Sequence, residues 1–202
     1  FTWVGAKIGE SKPWDACQKI AGMVGVAVEG VPKGKSLYKA VPEMTAETFA
    51  DFHQRLFDDP DQESVREFLR RRQLWDPEGL EELPIAAWGG RLIFVQHDNG
   101  GKLMKRAKVY NPFPLNGEQK WSWNKIKGTT GRTVSFWPVV ERIVKMPASA
   151  QQFLVEGEWD CLSVILRLKA LDRGSIVATW TGGGGAPIPP DAIPEHMRGR
   201  ET

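Results

Sequence analysis

Cysteine is scarce in this chain. Its 202 residues hold only Cys17 and Cys161, each a small apolar residue in a helical pattern, so two free intracellular thiols are expected rather than a disulfide. Histidine is nearly as rare, and His53, His97 and His196 lie far apart, which with no cysteine pair excludes a structural zinc site. No run approaches the ~18 apolar residues of a membrane helix. Phe1 opens a mixed, partly polar segment with no signal-peptide pattern.

What is present is ordinary in bulk and uneven in detail. A hydrophobic fraction of 41% and a charged fraction of 26% suit a globular protein of one large or two small domains. Nine tryptophans is a high count, with two uses open to them, core packing and stacking surface. The net charge of +2 hides an asymmetry. Between Gly101 and Thr133 stand eight basic residues and one acidic residue, Glu118, a net of +7, so the rest of the chain carries −5. Positive charge gathered in one segment points to an anionic partner there.

The periodicity divides the chain. A short helix is predicted over Pro13 to Val24, and Lys33-Gly34-Lys35-Ser36 reads as an exposed turn, lacking the glycine spacing of a phosphate loop. Thr45 is placed to cap a helix running to about Phe57, with Phe49, Phe52 and Leu56 on one face. A second helix is predicted from Gln62 to Gln73, turning Val65, Phe68 and Leu69 inward and ending in Arg70, Arg71 and Arg72, which either complement its dipole or contact phosphate. From Ile85 the period becomes two. Arg91 to Val95 and Leu103 to Tyr110 form a hairpin about Asp98-Asn99-Gly100-Gly101, followed by short strands at Trp121–Ile126 and Thr133–Trp137. The last third reads strand, helix, strand: Gln152–Val155, Trp159–Leu171 ended by Gly174, and Ser175–Trp180. That spacing implies a right-handed parallel crossover, and a pair of parallel strands would need at least one more to complete a sheet.

The segment Phe153-Leu154-Val155-Glu156-Gly157-Glu158-Trp159-Asp160 carries the clearest chemistry. A carboxylate at the C-terminal end of a strand, a glycine, and further carboxylates opening a helix lie where open α/β sheets gather ligands. Glu156 and Asp160, four apart across the turn, can converge on one ion, and magnesium takes such oxygen donors while keeping waters for a phosphate substrate. The plainer alternative is that Asp160 complements the helix dipole and Glu158 is solvated.

These residues resemble the first motif of the TOPRIM fold, shared by bacterial and phage primases, topoisomerases and some nucleases. The resemblance implies an acid/base role for Glu156 and a place for Asp160 in an acidic cluster holding Mg2+ or Mn2+. Ile176 to Gly185 resembles the next element of the fold. The Asp-x-Asp strand that completes the family's metal site does not occur in this chain, so the TOPRIM fold is expected to be incomplete. Upstream, Gly90 to Phe94, the Asp98–Gly101 turn, the basic strand of Lys105, Arg106 and Lys108, and Lys120-Trp121 resemble the subdomain that primases of this class place before TOPRIM. Phe68-Leu69-Arg70-Arg71-Arg72-Gln73-Leu74 resembles a helix of the same family but lacks its glycine. Residues 1–26 resemble the end of a phage primase zinc module without its cysteines. The resemblance covers roughly residues 62 to 190.

The expected class is therefore α+β: a mainly helical region over 1–84, a basic β-rich nucleic-acid-binding subdomain over 85–148, and the first part of a TOPRIM domain over 149–202. Cations neutralise phosphates, and Tyr110, Phe113, Trp121 and Trp123 interleave with them as stacking surfaces for single strands. Arg91, Lys105, Arg106, Lys108, Lys120 and Trp121 are the candidate nucleic-acid contacts. The resemblance implies part of a larger primase or primase-helicase of phage or plasmid type. Its partners would be a single-stranded DNA template, ribonucleoside triphosphates and a replicative helicase, with no membrane, in a bacterial cytoplasm. A TOPRIM nuclease or topoisomerase-like phosphotransferase stays open, although Tyr38 and Tyr110 stand in no catalytic setting. So does a non-catalytic DNA-binding module.

Overall fold

A computed structural model describes residues 40–98, 101–114, 118–124, 126, 135–147, 149–181, 187–188, 193 and 197. The chain divides after Leu37, and all described residues belong to the unit Tyr38–Thr202. The expected helix at Pro13–Val24, the Lys33–Ser36 turn, Asn99, Gly100 and the Gly182–Gly185 loop lie outside them.

The class is α+β. Helix α1 spans Ala46–Asp58, opened by Thr45, whose hydroxyl accepts the Thr48 N–H. Asp59 caps a 3-10 turn at Pro60–Gln62, and α2 follows as Glu63–Arg71. Helix α3, Pro77–Glu81, starts at Asp76 with a proline in its first turn, a start signal overlooked in the periodicity. Strands β1 (Ile85–Trp88), β2 (Arg91–His97), β3 (Leu103–Tyr110) and β4 (Trp121–Trp123) form one antiparallel sheet in that order. Then come β5 (Phe136–Trp137), α4 (Glu141–Val144), β6 (Gln152–Val155), α5 (Glu158–Leu168) and β7 (Ile176–Trp180).

The antiparallel sheet is covered on both faces, which explains why β2 reads as a continuous apolar run rather than an alternation. Ala86, Ile93, Val95, Ala107 and Val109 pack on one side against Val41, Met44 and Phe52. Ile85, Ala87, Leu92, Phe94 and Tyr110 pack on the other, against Leu69 of α2, Leu80 of α3 and Leu162, Ile165 and Leu166 of α5. Asn124 pins β3 at its start: its side chain accepts the Ala107 N–H and donates to the carbonyls of Pro42 and Lys105.

The second sheet has the order β5-β7-β6. β6 and β7 are parallel, as the crossover spacing requires. They are not a bare pair, however. Phe136–Trp137, expected as a strand of the basic subdomain, instead runs antiparallel to β7, because Trp137 is buried against Phe94 where the two sheets meet. β6 lies at the sheet edge with Phe153 and Leu154 exposed.

Two helix ends differ from expectation. Helix α5 stops at Leu168, with Lys169 left-handed at φ +50°, and Gly174 at φ +71° closes the next turn by letting the Ser175 N–H reach the Ala170 carbonyl. Helix α2 ends with Gln73 at φ +57° and the Leu74 N–H donating to the Leu69 carbonyl. That is a Schellman end with a side chain where glycine is usual. Gln73 is also the position at which the resembling primase helix carries its glycine. Replacing Gln73 by Gly is expected to stabilise the fold by about 0.5–1 kcal/mol, since a Cβ in the left-handed region is disfavoured. Urea unfolding of the two proteins checks it, and a loss of stability would contradict the left-handed assignment.

Candidate nucleic-acid interface and acidic turn

Strand register decides which cations can act together. On the face of the sheet toward α5, Phe94, Lys108 and Trp123 share one row and Leu92, Tyr110 and Trp121 the next. Side chains alternate along β3, so Lys105 points to the α1 side, whereas Arg106 and Lys108 point to the α5 side. The three basic residues expected to act as a group do not share a face. At ~3.4 Å per residue, Lys105 also stands ~20 Å along the strand from Asn111, next to which Lys120 and Arg91 lie.

Each cation of the strand has a protein partner. Lys105 Nζ is 3.6 Å from Glu43 Oε2. Arg106 donates to the Asn124 carbonyl at 3.1 Å. Lys108 donates to both oxygens of Glu158, at 2.6 and 2.9 Å, and its ammonium sits 4.6 Å from the centre of the Trp121 ring. Side-chain exposure there is 19% for Lys108 and 4% for Glu158, so the carboxylate is buried beneath a partly exposed ammonium and Glu158 is not the solvated residue of the plainer reading. Arg91, at the first position of β2 opposite Trp88, is half-buried.

Lys120 is exposed, with its ammonium 5.6 Å from the Tyr110 ring centre. Trp121 is half-buried and packs on Tyr110 at 4.7 Å and Phe94 at 5.5 Å between ring centres. The cluster continues through Trp159, 4.8 Å from Tyr110 and 5.7 Å from Phe68. Phe68, expected inward, is only half-buried, and the neighbouring Arg66 is buried instead, donating to the Leu56 and Asp59 carbonyls. Phe113 lies on Phe68 and is 45% exposed, held outward by an Asn111 side chain that accepts its N–H.

The three arginines treated alike in the sequence part company in the structure. Arg70 and Arg71 pair with Glu63 and Glu67 along α2, as dipole-complementing arginines do. Arg72 instead caps the helix, its guanidinium 4.7 Å from the Trp159 ring centre and 5.5 Å from that of Phe68. Its carbonyl accepts from Arg167 of α5. The three arginines are adjacent in sequence, and nothing local distinguishes the one that leaves the helix face.

The acidic turn begins where β6 ends. Glu156 and Asp160 are both exposed. Asp160 folds back toward Gly157, its Oδ2 3.7 Å from where a Cβ on that glycine would stand. Beneath them Cys161 is a buried free thiol, pushed well above its usual range by burial, with the carboxylates of Glu158 and Asp160 adding to the shift. Among the described residues no group of three or more His, Cys, Asp or Glu gathers as a metal site. Two carboxylate residues placed four apart at one strand end still match the donor set of magnesium, which takes one or two and fills the rest with water and phosphate oxygens. No described helix is long and apolar enough to cross a membrane.

Compared with known proteins, the sequence matches no family model, no curated protein and no solved structure.

Lys108→Met is expected to cost about 3–5 kcal/mol in urea unfolding, because it strands the Glu158 carboxylate in the interior. Lys108→Met combined with Glu158→Leu should recover most of that loss. A single-variant loss below about 1 kcal/mol, the level of a surface pair, would show that the carboxylate is not buried in solution.

Proposed function

We propose that this chain is part of a DNA primase that joins ribonucleotides on a single-stranded DNA template. One observation carries the reading: Glu156 ends a parallel strand and opens into a helix bearing Asp160, and the Lys108–Glu158 pair docks that helix on a sheet rimmed by cations and aromatic rings. The resemblance of the same residues to the TOPRIM primases adds to it.

In this reading Glu156 accepts the proton of the attacking 3′-hydroxyl, and its exposure leaves it within reach of a primer end. Glu156 and Asp160 would together hold a magnesium or manganese ion, which when bound supplies positive charge to the nucleotide phosphates. Lys120, Arg91 and Trp121, at the Asn111 end of the sheet, face the template or the incoming ribonucleoside triphosphate. Lys105 and Arg106, on opposite faces farther along β3, serve the template backbone at a second place. Lys108 holds the acidic helix in position. A replicative helicase, fused or separate, and a bacterial cytoplasm belong to the same proposal.

Glu156→Gln keeps the shape and removes the base. It is expected to lower primer synthesis on circular single-stranded DNA by about 10²–10⁴-fold with template binding unchanged. The assay is ribonucleotide incorporation with magnesium in the protein that carries this chain. Unchanged synthesis would end the role given to Glu156, and cleavage of DNA without ribonucleotides would favour a nuclease.

A further inference from the structure

The cations the primase reading relies on along β3 are largely occupied by protein partners, which raises the question of which cations remain. Among the described residues Arg72 and Lys120 have no carboxylate within ion-pair distance, and both stand over aromatic rings. Arg72 lies on Trp159 and Phe68, and Lys120 on Tyr110. The rings between them are in contact from Phe113 through Phe68 and Tyr110 to Trp121 and Trp159. Their exposure is graded. Tyr110 is buried, Phe68, Trp121 and Trp159 are half-buried, and Phe113 is 45% exposed. The inner rings are core. The outer rim is an aromatic surface carrying two unneutralised positive charges.

We propose that this rim is a base-stacking subsite for single-stranded DNA, with Phe113 and Phe68 receiving an unpaired base and Arg72 and Lys120 facing the adjoining phosphates. The inference rests on the reading of the sheet as a template platform, which already uses Lys120 and Phe113, and adds Arg72 and Phe68 to it. Charge complementarity selects the occupant: an apolar protein partner would gain from the rings but would have to desolvate two unpaired cations, whereas a nucleotide strand presents a π-face and an anion together. A guanidinium is suited to this place, since it is weakly hydrated and planar and can rest on an indole while its donors remain directed outward. A duplex does not fit, because its bases offer no free face. The position of the subsite also has a consequence. Trp159 directly precedes Asp160 in the first turn of α5, so a strand stacked on this rim passes beside the acidic turn.

The test is fluorescence anisotropy with this protein and two labelled oligomers of equal length, an oligothymidylate and its abasic counterpart. The wild type is expected to bind the oligothymidylate about ten-fold more tightly, the size of one stacked base. Phe113→Ala should remove that preference and Phe113→Trp should keep it. Because Phe113 is exposed, neither variant threatens the fold. Arg72→Gln should reduce the slope of affinity against salt by about 0.7, one phosphate contact on a single strand. Equal affinity of the wild type for both oligomers, with a steep salt dependence, would overturn the subsite and leave the platform standing. Failure to bind either oligomer at low salt would overturn both. If Phe113→Ala weakened labelled ATP but not the oligothymidylate, the rim would serve a mononucleotide and the proposal would fail.

Discussion

An ammonium group in an otherwise apolar row of a sheet is a liability unless a carboxylate meets it. Lys108 stands between Phe94 and Trp123 in such a row, and Glu158 meets it with both oxygens. Burying the Glu158 carboxylate costs several kcal/mol that the partly exposed ammonium offsets, so the pair adds little to net stability, but breaking it is expensive. Its effect is on geometry. Glu158 lies in the first turn of α5, and holding it to β3 fixes where that helix begins relative to the antiparallel sheet. Trp159 is thereby set against Tyr110 and Phe68, and the acidic turn is set at the edge of the aromatic rim. The carboxylate also complements the positive end of the helix, so one side chain answers two electrostatic demands.

Local signals in the sequence were readable where local chemistry decides the outcome. Thr45 caps its helix, the limits of β3 follow from alternation, and β6 and β7 are parallel because an eleven-residue helix joins them. The arrangement of the basic window was hidden for a physical reason. Counting charge along a chain does not say which face of a strand a lysine occupies, and it contains nothing about a partner 50 residues away. Lys105 and Lys108 look equivalent in sequence and lie on opposite sides of the sheet. The position of β5 was hidden similarly: two residues carry too little pattern to show which sheet they join, and the burial of Trp137 between sheets settles it.

Tryptophan abundance had two explanations in sequence, core and stacking surface, and the packing apportions both. Trp137 is fully buried and joins the sheets, while Trp121 and Trp159 present one edge to the core and another toward solvent. Cations over the outward rings follow from that geometry. A half-exposed ring offers its negative face without the cost of burying the charge that meets it, and arginine is less strongly hydrated than lysine. Arg70 likewise lies over a half-buried ring, Trp75 at 5.5 Å, but keeps Glu63 as well, whereas among the described residues Arg72 has the Trp159 and Phe68 rings alone.

Precision at a phosphoryl-transfer site comes from holding the substrate strand and the catalytic groups on one rigid element. In α5 the ring that borders the proposed stacking rim and the carboxylate proposed for the metal are consecutive residues, Trp159 and Asp160, so their separation is set by helix geometry rather than by a loop. Glu156 is one glycine away from that helix, at the end of a strand whose register against β7 is fixed up to Val155. A template resting on the Trp159 side of the rim would then be positioned against Asp160 by helix geometry, with Glu156 joined to it through the Gly157 turn. The Lys108–Glu158 pair anchors the helix at that joint. A contact with a buried carboxylate is therefore placed where a shift of the helix would do most harm to the proposed chemistry.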